Sequence, residues 1–252
     1  MWGMKKLFNL ELKRLYRSKV FLLMILLMIL IGGLGIVLNQ VFYKDMTDKR
    51  MILLSLYNSY TQFTYLILGF VFVSIFAKDY QNGVYAWMSQ MNYGMGQILL
   101  AKAATACVMI IPLIDIVFIA TKIIYGIRDK EYLELCILHV NFNILYIILL
   151  ALLLSIIMKK VIQATLTMYG LFVVFNGANL VGYGMINPSD SNSLCSYYLS
   201  KILVTSQSHY TLSKLILSDN SIRFMSISLP LVWNLILGIL IVLMLRVRKK
   251  GE

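Results

Sequence analysis

FAKDYQNGVYAWMSQMNYGMGQILLAK, residues 76–102, is the stretch on which the reading of this chain turns. Read as one helix, it sets Tyr80, Val84, Trp87, Met88 and Met91 at steps of three and four. That spacing makes one apolar stripe, which ends at a turn containing Gly94. A stripe of this kind needs a surface to lie against. Lipid headgroups are one such surface, since Trp and Tyr sit well at the interface, and a groove on another protein is the other.

The rest of the chain says where this stretch sits. Hydrophobic residues make up 60% of the 252 residues and the mean hydropathy is +0.80, well above the usual apolar share of soluble domains, about 45–50%. Apolar runs occur at Val20–Tyr43, Met51–Ala77, Ala103–Thr121 (broken only by Asp115), Leu135–Met158, Val161–Ile186 and Phe224–Leu245. Each approaches or exceeds the roughly 20 helical residues needed to cross a bilayer. None shows the alternation of barrel strands, so the expectation is an all-α membrane protein with six transmembrane helices in one domain, residues 1–252. An even count puts both termini on one side.

Basic residues orient the bundle. With the termini in the cytoplasm, fourteen of the 23 Lys and Arg residues fall inside, from Lys5 to Lys250. Most acids fall outside, and the inner face is then far more positive than the outer, as the positive-inside rule requires. This accounts for the net charge of +12 without nucleic acid, because the cations are parcelled out at helix ends instead of sharing one soluble face. Residues 77–98 become the one sizeable cytoplasmic connection, and the chain is expected to be multi-pass in the cell membrane.

At the N-terminus, residues 1–19 place Lys6, Asn9, Lys13 and Arg17 on one side and Met4, Phe8, Leu12 and Leu15 roughly opposite, with Leu10 and Glu11 breaking the pattern. This suits an amphipathic helix on the inner membrane surface. The long run that follows has no small-residue cleavage motif and reads as a retained span. Within it, Gly32, Gly33 and Gly35 suit close helix packing or a hinge.

Polar residues inside spans are the candidates for a path. Asn58 and Gln62 stand in the outer half of the second run among hydroxyl residues, a composition that suggests water or a cavity. Asp115 lies at bilayer depth, where a carboxylate costs about 2.5–3.5 kcal/mol and needs a partner. Counting equally from the turn near Asp129 brings Asn143 to its depth, so an Asp115–Asn143 hydrogen bond is expected, with His139 as the alternative. Gly170, Gly177 and Gly184 form a seven-residue glycine seam on the fifth run, with Asn176 and Asn179 beside it, suited to helix contact or to lining a path. Residues 187–223 form the long outer connection, readable as a cap or as a solvated loop.

Motifs of chemistry are lacking. No Gly-x-x-x-x-Gly-Lys-Ser/Thr loop, His-Glu-x-x-His zinc pair or Gly-x-Ser-x-Gly nucleophile turn occurs. Cys107, Cys136 and Cys195 have no metal spacing, and Cys136 and Cys195 are placed outside, where a disulfide is an option. No catalytic residue is expected.

The segment Phe76-Ala-Lys-Asp79, then Asn82-Gly83, then Ile98-Leu-Leu-Ala-Lys102, resembles the loop between the second and third spans of type-2 ABC exporter permeases. The Phe8–Arg17 stretch, the six runs and the long connection before the last run fit the same family in layout. Val84 stands where that family commonly has Thr, and Asn92-Tyr93-Gly94 stands where it has Pro. The resemblance implies a permease that pairs with a second copy or a paralogue and with two copies of a cytosolic ATP-binding cassette subunit. ATP and Mg would be bound by that partner, with no cofactor on this chain. Asp79, Tyr80, Asn82, Gly83, Val84, Trp87, Met88 and Met91 would form the coupling helix seated in the ATPase. Permeases of this compact form resemble exporters of hydrophobic or amphipathic peptides, including bacteriocin-immunity and peptide-toxin exporters of Gram-positive bacteria. Drugs, lipids or glycans as cargo, or a non-transporting immunity or binding protein, are the alternatives.

Overall fold

The computed structural model describes residues 2–42, 49–91, 93–184 and 223–251, and every regular element among them is a helix. In chain order these are α1 (Trp2–Tyr16), α2 (Lys19–Phe42), α3 (Arg50–Gln81), α4 (Val84–Gln90), α5 (Met95–Tyr125), α6 (Lys130–Met158), α7 (Val161–Gly184) and α8 (Arg223–Gly251). Five of them, α2, α3, α5, α6 and α8, contain stretches long and apolar enough to cross a membrane. The chain is an all-α, multi-pass membrane protein. The fifth expected span is α7, with 24 helical residues, and its side chains are described only through Val174.

Helices α3 and α6 form the centre. Both bury most of their length against neighbouring helices, and the fully buried Tyr57, Tyr60, Phe72 and Phe76 all project from α3. Helices α2, α5 and α8 surround this pair and turn many apolar side chains outward, among them Leu22, Ile116 and Ile239. Inside a bilayer these outward side chains are in their proper solvent.

Small residues let α2 lie tightly on α3. A methyl group at Gly35 would stand 2.9 Å from the Leu56 Cα, and one at Gly32 would stand 2.9 Å from the Tyr60 hydroxyl and from Val117. Gly33 faces open space. Packing therefore explains two of the three glycines. The same contact uses two polar residues of the N-terminal half of α3: Ser55 donates to the Gly35 carbonyl at 2.7 Å and Tyr60 donates to the Met28 carbonyl at 2.8 Å. Ser55, Tyr57, Ser59, Tyr60, Thr61, Thr64 and Tyr65 are buried between helices, while Asn58 is half-buried and Gln62 exposed.

Local signals set the turns. Asp129 caps α6 by accepting from the Tyr132 amide at 2.9 Å, the role its short carboxylate serves at a helix start. Gly126 closes α5 with φ +61°, and Gln97 Oε1 accepts from the Gly94 amide at 3.2 Å at the start of α5. At the far end of α6 a non-glycine residue, Lys159, takes the left-handed conformation. The long connection expected at 187–223 lies outside the described residues except for Arg223, which opens α8.

Candidate functional site

The stretch 76–102 is not one helix. Helix α3 runs on to Gln81, Gly83 adopts φ +68°, and the seven residues of α4 start a new axis before α5 begins at Met95. A residue without a Cβ accepts that conformation freely. The angular register resets at Gly83, and this breaks the continuous stripe expected from Tyr80 to Met91. Tyr80, Val84 and Met88 are half-buried, with Tyr80 and Met88 packed on the core, while Trp87 is 55% and Met91 51% exposed. Asn82 and Gly83 are exposed as well.

Asp79 is turned inward and is only 5% exposed. Its two carboxylate oxygens accept from Arg14 Nη2 at 3.1 and 2.9 Å, and Lys102 Nζ donates to Oδ2. Lys102, 3% exposed, also faces Glu11 Oε1 at 3.4 Å, and Arg14 Nη1 lies 3.6 Å from the same oxygen. Two acids and two bases thus close a net-neutral ring in which Glu11, Asp79 and Lys102 are buried and the Arg14 side chain is half-exposed. Burying a charge is costly unless it is paired and hydrogen-bonded, and each member here has at least two opposite charges beside it.

The ring joins elements far apart in the chain. Glu11 and Arg14 come from α1, Asp79 from the last turn of α3 and Lys102 from the second turn of α5. Helix α4 is tied to it through Tyr85, which is buried: its ring lies 5.6 Å beneath Lys102 Nζ, its hydroxyl donates to the Phe76 carbonyl at 3.3 Å, and its ring meets Tyr80 at 4.1 Å. Burial pushes the Tyr85 hydroxyl well above its ordinary pKa, and Tyr80, Asp79 and Glu11 push the same way. Burial opposes the charge on Arg14, but Glu11 and Asp79 outweigh it and hold the guanidinium above its usual value. Tyr85 therefore stays neutral and Arg14 charged across the physiological range.

Three members of this ring escaped the sequence reading as site residues, though each left a trace. Glu11 was the acid that spoiled the amphipathic pattern of α1. Lys102 ends an apolar run instead of standing in a polar one, and Arg14 sits one turn past Glu11. Tyr85 falls between the positions of the expected stripe, so the stripe gives no signal for it.

The candidate path residues are placed as follows. Asp115 Oδ1 accepts from Asn141 Nδ2 at 3.0 Å, so the expected partners Asn143 and His139 are replaced by Asn141. The depth was right and the face was wrong, because two residues along a helix turn through about 200°. Asn143 instead donates to the Tyr57 hydroxyl at 3.3 Å, on the α3 side of α6. His139 is fully buried. Asn58 is half-buried and Gln62 exposed on α3. Asn176 and Asn179 lie in α7, but their side chains are outside the described residues, as are Gly177 and Gly184 of the seam. Gly170 of that seam has open space where a Cβ would stand. Cys136, expected at the outer surface, is a free and buried thiol, and Cys195 lies outside the described residues.

Among the described residues no cluster of three or more His, Cys, Asp or Glu side chains is arranged to hold a metal. No family model matches the chain, and no curated protein matches it.

Proposed function

We propose that the chain is the permease subunit of an ATP-driven exporter, with α4 as the handle by which a cytosolic ATPase moves the bundle. The observation that carries this reading is the pairing of an outward Trp87 and Met91 with an inward charge ring beneath them. A seven-residue helix has little stability of its own, yet Tyr85 holds α4 to α3 and α5, and the ring beneath it joins those two helices to α1. A push on Trp87 is therefore delivered to three elements at once. Large apolar side chains exposed at the polar end of a membrane bundle are also what a protein partner grips.

In this reading the chain has six spans, with α7 as the fifth, and both termini are cytoplasmic. Two copies, or one copy and a paralogue, frame the path, and each meets one ATPase subunit. ATP and Mg are bound there, not on this chain. Opening and closing of the ATPase pair rocks α3 and α5 through α4 and drives hydrophobic or amphipathic peptides across. Drugs, lipids or glycans as cargo fit the same architecture. A non-transporting immunity protein would share the bundle but have no use for the braced handle.

The test is purification of the tagged chain from its native membrane under mild detergent. An ATP-hydrolysing subunit in equimolar amount, lost when Trp87 and Met91 are both replaced by Ser, is the expected result. Recovery of the chain without any ATPase would refute the proposal.

A further inference from the structure

An apolar cleft of about 640 Å³ opens between α5, α6 and α8. Leu99 and Ala103 of α5, Leu152 of α6, and Ile239 and Val242 of α8 wall it. Asn234 stands at one end, where its amide donates to the Phe142 and Pro230 carbonyls at 3.2 and 2.9 Å, and Arg246 stands at the other. Near Arg246 the helices draw together, with a Cβ at Gly96 falling 3.6 Å from Leu245.

We propose that this cleft holds one anionic phospholipid from the leaflet that borders the basic end of α8. Three observations select this occupant. From Asn234 to Arg246 the helix rises about 18 Å, close to the depth of one leaflet with its interface, given a hydrocarbon core about 30 Å thick. The walls are apolar along that length, as an acyl chain requires, whereas an extended peptide backbone there would leave its polar groups unsatisfied. Arg246 marks the interfacial end and begins the run Arg246-Val247-Arg248-Lys249-Lys250, a concentration of positive charge that attracts an anionic headgroup. The guanidinium is also suited to a phosphate, which it can meet with two parallel hydrogen bonds. This site is independent of the ATPase reading and holds for any function of the chain.

Gly238 provides the means of testing it. A Cβ there meets nothing within 4 Å, so Gly238→Trp projects into the cleft without colliding with the backbone. The full chain, purified in detergent, is titrated with phosphatidylglycerol or phosphatidylcholine and bound lipid is counted by native mass spectrometry. The wild type is expected to retain one phosphatidylglycerol in preference to phosphatidylcholine. Gly238→Trp lowers that retention at least tenfold, while Leu231→Trp, on the same helix but outside the cleft, leaves it unchanged. Arg246→Gln weakens it about fivefold, the effect of one basic side chain near an anionic headgroup. Should Gly238→Trp lose its helical circular dichroism, Ala103→Leu fills the cleft from α5 and is read in its place. Retention by the filled variants equal to wild type, or equal retention of both lipids by the wild type, would overturn the proposal. So would disulfide formation between Gly238→Cys chains in native membranes, which would show a second copy filling the cleft.

Discussion

Lys102 is the most deeply buried cation of the charge ring. An ammonium group with 3% exposure is tolerable only because Asp79 and Glu11 face it, and Arg14 in turn balances those two acids. Removing one partner of a buried pair strands the others and costs about 3–5 kcal/mol, whereas replacing both by apolar groups is often neutral. Lys102→Met is therefore expected to lower the stability of the detergent-purified chain by about that amount, and the double variant Asp79→Leu/Lys102→Met to recover part of the loss. Thermal unfolding followed by circular dichroism measures both, and a silent Lys102→Met would mean the ring does not hold the helices together. Asp115 makes a smaller test. Interhelical hydrogen bonds in membranes average about 0.6 kcal/mol, so Asn141→Ala should cost about that much and Asn143→Ala should leave the Asp115 environment unchanged. Of these facts, the depth of Asp115 was readable from equal counting about one turn. Its partner was not, because neighbouring positions on α6 face different helices and nothing in one sequence says which helix is where.

The helices were the most legible part of the chain. Long apolar runs report their own identity, and five of the six expected spans are present as helices of sufficient length. Their packing was half legible: glycines announce close approach, but only the structure separates Gly32 and Gly35, which face α3 and α5, from Gly33, which faces outward. That separation is testable. Gly35→Ala places a methyl group 2.9 Å from backbone that cannot yield easily, and overpacking of this kind costs about 1–3 kcal/mol. Gly33→Ala is expected to be neutral or slightly stabilising, since alanine is the better helix former. Equal unfolding temperatures for the two variants would contradict the α2–α3 contact. The break at Gly83 was the element the pattern hid, because residues at steps of three and four look continuous in sequence even where a single left-handed glycine starts a new axis. The short helix that results is the part on which function is proposed to rest.

At the scale of the whole molecule, the described residues form a bundle of apolar helices with α4 braced on the charge ring. The charge distribution and the long apolar helices fit the proposal that the energy source is another chain, a proposal in which the ring and α4 act together. The charge ring makes the handle stiff toward the bundle, and the exposure of Trp87 and Met91 makes it available from outside. The most direct measurement is ATP hydrolysis and cargo export assayed together in vesicles that contain the native complex, for wild type and Trp87→Ala. The account predicts a variant that inserts and folds normally but has lost at least tenfold in export per ATP hydrolysed. Export per ATP equal to wild type would contradict it.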